Sequence, residues 1–151
     1  MGQQQLLLLV LSLVIVALAV VAGLFMFQEN MRKSNADALV SDAINVANQA
    51  QAWKIRPAAF GGQAGAARDN MADFTGFSFE ALTLQDPHVT LNGTFNYRAD
   101  ERGLVIIGTN QSLGTRVTLT VNGISDRDIV AVVSSLVEST SVAETQLDAG
   151  Q

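Results

Sequence analysis

The side chains that could do chemistry are few and scattered. His88 is the sole histidine, and in the run Asp86-Pro87-His88 that aspartate is its nearest partner for acid–base work. No second histidine or nucleophile accompanies it, so it reads as a solvated turn residue. The chain has no cysteine, which removes thiolate nucleophiles, thiolate metal sites and disulfides together. Asp100-Glu101-Arg102 and Asp126-Arg127-Asp128 hold carboxylates of the kind a hard cation takes. Their spacing is not that of an EF-hand loop, and solvated turns use the same residues. Asn92-Gly93-Thr94 and Asn110-Gln111-Ser112 fit the glycosylation sequon, while Asn-Gly is equally a turn signal. These residues predict no catalytic site, no metal site and no cofactor, so the expectation is a non-enzymatic protein.

Charge narrows the partners further. With nine Lys and Arg and a formal net charge of −5, there is no basic stripe for nucleic acid or anionic lipid.

The elements themselves are far more legible. Leu6 to Phe27 is 22 residues without a charge, and Ser12 is its one polar side chain. As a helix it extends about 33 Å, enough for a hydrocarbon core of roughly 30 Å. Such a segment spans a membrane or is buried by copies of itself, and the residues expected to do so are Leu6, Leu7, Leu8, Leu9, Val10, Leu11, Val14, Ile15, Leu18, Val21, Gly23, Leu24, Phe25 and Phe27. Ala17-Leu18-Ala19 fits a signal-peptidase site, but the run stays apolar beyond it and no Lys or Arg precedes it, so a lasting helix is expected. Gly23 softens that helix, lets another backbone approach, or is simply a glycine tolerated in a membrane helix.

The helical pattern continues past the apolar run. Leu39, Val40, Ala43, Ile44, Ala47 and Ala50 recur at three- and four-residue spacing, with Asp37, Asp42, Asn45 and Gln49 off that face. No proline interrupts residues 1–56, and Pro57 ends the helix near Trp53. One helix is therefore predicted from about residue 4 to about residue 53. Residues 1–28 form its apolar part and 29–56 its amphipathic continuation. Leu39, Val40, Ala43, Ala47 and Trp53 are expected to pack on the domain that follows, with Trp53 as a lid.

Gly61, Gly62 and Gly65 mark a connector over 57–76, and 77–151 reads as a sheet domain. A strand is predicted from Phe77 to about Leu84. A second runs from Val89 to Arg98, with Val89, Leu91, Phe95 and Tyr97 on one face, and Leu104–Thr109 and Thr115–Val121 complete an antiparallel meander. Asn122-Gly123 marks a turn. After a possible capping box from Ser125 to Asp128, Ile129, Val132, Val133, Leu136 and Val137 recur at helical spacing. A short helix is expected there in preference to a fifth strand, followed by a frayed tail from Glu138. The fold class is α+β: a long N-terminal helix on a roughly four-stranded antiparallel sheet.

This order of elements resembles the type IV pilin and pseudopilin family. In residues the likeness rests on Gly2 followed by the apolar run Leu6–Phe27, which is similar to the end of a prepilin leader and the helix behind it. The resemblance implies processing between Gly2 and Gln3, with Gln3 as first mature residue. Leu7 then stands fifth, where the family usually carries a glutamate, and no basic leader precedes Gly2; Gln3, Gln4 and Gln5 offer amides in place of the missing carboxylate. It further implies a homo-oligomer, a helical filament of identical subunits on the cell surface. The subunit is held in the inner or cytoplasmic membrane before assembly and handled by pilus assembly machinery. Arg32 and Lys33 would by the positive-inside rule keep the domain cytoplasmic, whereas the resemblance places it outside. A minor pseudopilin of a secretion system and a single-pass anchored binding domain are the competing readings.

Overall fold

The computed structural model describes residues 2–63 and 70–135, and it opens on one 54-residue helix, α1 (Gly2–Ile55). The chain divides into two compact units, Met1–Ser34 and Asn35–Gln151, and α1 belongs to both. α1 stops where expected: Pro57 has no N–H to continue the ladder, and the Phe60 N–H closes a short 3₁₀ turn, Ala58–Phe60, on the Pro57 carbonyl at 2.9 Å.

In the second unit α1 packs on a five-stranded antiparallel open sheet whose strands follow one another in space as in sequence. They are β1 (His88–Val89), β2 (Thr94–Asp100), β3 (Gly103–Asn110), β4 (Thr115–Val121) and β5 (Ile129–Ser135). The class is α+β, as the periodicities predict. In β4 the alternation is complete, with Thr115, Val117, Leu119 and Val121 buried and the residues between them half-buried. Its buried row lies opposite Leu104, Ile106 and Gly108 of β3, and Ile106 and Gly108 lie opposite Tyr97 and Phe95 of β2. Gly108 is required by that row, because a Cβ there would meet the Phe95 ring at 2.6 Å. Leu39, Ala43, Val46, Ala47, Ala50 and Trp53 close the core from the helix side.

Three predicted elements are different. Phe77–Leu84 is not a strand: Phe77 and Phe79 are buried, but Gly76 has φ 83°, Phe77 N–H returns to the Phe74 carbonyl, and Glu80–Leu82 is a 3₁₀ turn. The two rings imitate strand alternation while anchoring a looped backbone, edge-to-face at 6.2 Å. The strand expected over Val89–Arg98 is two strands, because Thr90 N–H bonds the Gly93 carbonyl at 2.9 Å and turns the chain. Val89 and Leu91 consequently leave the core face, and Leu91 is wholly exposed at 105 %.

The short helix expected from Ile129 is strand β5. The capping box is present, with Asp128 Oδ2 accepting from the Ser125 N–H at 3.0 Å, but it caps only the 3₁₀ turn Asp126–Asp128. From Ile129 the β-branched side chains prefer extended backbone, and β4 supplies a full ladder from Val121↔Ile129 to Thr115↔Ser135. Leu136, Val137, the tail and Gly65 lie outside the described residues.

Candidate membrane-spanning and assembly surface

In the unit Met1–Ser34 the structure is α1, with Gly2 and Gln3 in its first turn. Every large apolar side chain from Leu6 to Phe27 is exposed, from 48 % at Val10 to 73 % at Met26. An 18-residue window reaches a mean hydropathy of 3.1 with none of it buried, so this one N-terminal helix is long and apolar enough to span a membrane. Ser12, the one polar side chain in the run, donates to the Leu9 carbonyl at 2.8 Å. Its hydroxyl proton is satisfied within the helix, which removes the main cost of carrying it into hydrocarbon. No atom beyond its own helix lies within 4 Å of a Cβ built on Gly23, so that side is open to another backbone. The first charges after the run are Glu29, Arg32 and Lys33.

The helix-on-sheet residues belong to the second unit. Leu39, Ala43 and Ala47 are fully buried and Val40 is half-buried against the core. Ile44, on the same predicted stripe, is exposed, and Val46 takes its place. Trp53 meets Phe77 edge-to-face at 5.4 Å, and its indole N–H donates to the Gly61 carbonyl at 2.9 Å, fastening the turn that follows the helix.

Two buried polar residues of α1 have no counterpart in the sequence reading. Gln51 Nε2 donates to the carbonyls of Gly123 and Ser125 at 3.0 and 3.2 Å and pins the approach to β5. Lys54 Nζ donates to the Asp73 carbonyl and lies 4.8 Å from the centroid of the Phe74 ring. Burial lowers the Lys54 pKa from 10.5, with the Asp73 carboxylate pulling the other way. Their positions gave the signal: Gln51 is four residues after Ala47, and Lys54 four after Ala50, so both lie on the core stripe.

The remaining candidates serve as local fastenings. Asp100 Oδ1 accepts from the Arg102 and Gly103 N–H groups at 2.8 and 3.1 Å, as Asp128 does from Ser125. His88 opens β1, half-buried, with the rings of Phe79 and Phe95 each 6.1 Å away. Asn92 Nδ2 donates to Asp42 Oδ2 at 2.8 Å, and Asn110 Nδ2 to the Asn92 carbonyl at 2.8 Å, so both sequon amides are donors in the fold. Among the described residues no group of three His, Asp or Glu side chains is placed to hold a metal ion.

The surface that stands apart is therefore the apolar one, an uncharged helix of membrane length with no partner in the described chain. Compared with protein-family models, curated proteins and solved structures, the chain matches none.

Proposed function

We propose that this chain is a structural subunit, a pilin-like protein that polymerises through Leu6–Phe27 into an extracellular filament after residing in a membrane. One observation carries the reading: a single helix is unburied and apolar for 22 residues and then supplies the core stripe of a folded domain. An apolar helix persists in water only if something covers it, at about 25 cal/mol per Å² of apolar surface removed from water. Copies of the same helix can do that, and a head-to-tail contact that does not close into a ring propagates as a fibre. Ser12, Ala17, Ala19, Ala22 and Gly23 keep parts of the run slim enough for close helix approach. The subunit works by assembly, without catalysis.

The test is electron microscopy of material sheared from the cell surface, with mass spectrometry of its N-terminal peptide. Thin fibres containing this protein support the reading, and the peptide mass reports whether the chain is cut between Gly2 and Gln3. Protein confined to the membrane fraction, with no fibres, refutes it and leaves a single-pass anchored domain.

A further inference from the structure

A second feature lies at the end of the sheet where the β1–β2 and β3–β4 turns come together. Between them is a cleft of about 410 Å³ with no ionisable side chain among its lining residues. Thr94 and Asn96 stand on the face of β2 opposite to buried Phe95, and Gln111 and Ser112 come from the β3–β4 turn. None of these four side chains is engaged in a hydrogen bond within the described residues, so two carboxamides and two hydroxyls are available to a ligand. Each such group can both donate and accept.

The walls, by contrast, are tied down. Asp42 Oδ2 on α1 accepts from Thr90 Oγ1 at 3.0 Å and from Asn92 Nδ2 at 2.8 Å, which fixes the β1–β2 turn to the helix. Asn110 Nδ2 joins the two turns by donating to the Asn92 carbonyl, and Asn35 Nδ2 donates to the same oxygen at 3.1 Å. Gly93 lies close beneath: a Cβ there would meet the Thr109 carbonyl oxygen at 2.5 Å and Leu39 Cδ2 at 2.8 Å. Groups held in place before binding lose less freedom when a ligand arrives.

We infer that this cleft binds a short neutral saccharide, its hydroxyls meeting Thr94, Asn96, Gln111 and Ser112 and one C–H face resting on the exposed Leu91. An uncharged set of donor–acceptor groups matches a polyhydroxylated ligand, whereas an anion or cation would find no countercharge in the lining. Arg116, opposite Thr109 in the ladder, is the neighbouring cation and does not line the cleft. The saccharide is a free ligand, held by hydrogen bonds to Thr94, Asn96, Gln111 and Ser112. The inference is independent of polymerisation, since the cleft is formed entirely within residues 35–151.

The experiment is saturation-transfer NMR on the full chain in zwitterionic detergent micelles. The probes are methyl glucoside, methyl galactoside, N-acetylglucosamine, lactose and, as the anionic comparison, N-acetylneuraminic acid. At least one neutral probe should bind with a dissociation constant of about 1 mM, and Asn96→Leu and Gln111→Leu should each weaken it by about three- to tenfold. Both side chains are exposed and unbonded, so far-UV circular dichroism of the variants should be unchanged. No neutral probe bound at about 50 mM overturns the inference. So does binding that survives both substitutions, or binding of the anionic probe alone. An intact mass of the native chain raised by a glycan at Asn92 or Asn110 also overturns it, because the sugar would then be attached.

Discussion

Placing a lysine at the centre of the apolar run separates spanning from assembling. Ala17 lies midway between Leu6 and Phe27 on a helix whose window is wholly unburied. The run holds sixteen Leu, Ile, Phe and Val side chains. At about −0.3 to −0.6 kcal/mol each on an insertion scale, they favour the bilayer by about 5–10 kcal/mol. A lysine at the centre costs about 2.5–3.5 kcal/mol on the same scale, part of it relieved by snorkelling. Ala17→Lys should therefore still enter a membrane. In a fibre every subunit would bring its own ammonium into a shared dry core, with no carboxylate in any of the 22-residue runs to pair it, and buried unpaired charges are costly enough to prevent packing. The assay is carbonate extraction of membranes alongside electron microscopy of sheared material. The expected result is protein that resists extraction and yields no fibres. Fibres at wild-type yield would refute the dry-core packing, and protein released by carbonate would refute the insertion arithmetic.

Three further outcomes follow from the second unit. Phe79→Ala removes a fully buried ring set against Phe77, Tyr97 and His88, and should cost about 3–5 kcal/mol in denaturant unfolding of the full chain in micelles. Gly93→Ala drives a methyl against the Thr109 carbonyl and Leu39, and should cost about 1–3 kcal/mol by the same measurement. Tyr97 has its pKa raised above 10.0 by burial first and by the Asp86 and Glu80 carboxylates next. Its contribution is fully present below pH 10.0 and is lost as the pH rises through the higher folded-state value, so Tyr97→Phe should flatten that alkaline loss in an unfolding series. Lys54, lowered from 10.5, acts in the opposite direction and is common to both proteins, so it drops out of the comparison.

Periodicity revealed the parts of the fold in which one rule acts alone. The 22-residue run needs only composition, and β4 alternates because one face meets α1 and the other does not. The sequence misled where two rules coincide. Phe77 and Phe79 are two residues apart, as in a strand, yet they anchor a loop, since burial constrains side chains and not the path between them. Ser125–Asp128 carries a true capping box, but a cap determines where a helix starts and not whether it continues against β-branched residues with a waiting ladder. Asn92-Gly93 is a turn signal in the sequence, and at that turn the strand expected over Val89–Arg98 divides. Gln51 and Lys54 illustrate the remaining difficulty: their types say surface and their register says core, and carbonyls of Gly123, Ser125 and Asp73 more than 15 residues away made burial tolerable. The cleft was not legible, because its walls meet only through the ladder.

Chain order has a consequence for biosynthesis. α1 leaves the ribosome before the sheet, and its core stripe must wait for β4, about 70 residues later, which at 5–20 residues per second is roughly 4–14 s. During that interval the stripe from Leu39 to Trp53 lacks its folded partner, and the 22-residue apolar run, which nothing in the described chain covers, is exposed as well. Early capture of the run by a membrane shortens the exposure of the more hydrophobic of the two. A nascent chain denied that capture has seconds in which to aggregate before its core is complete.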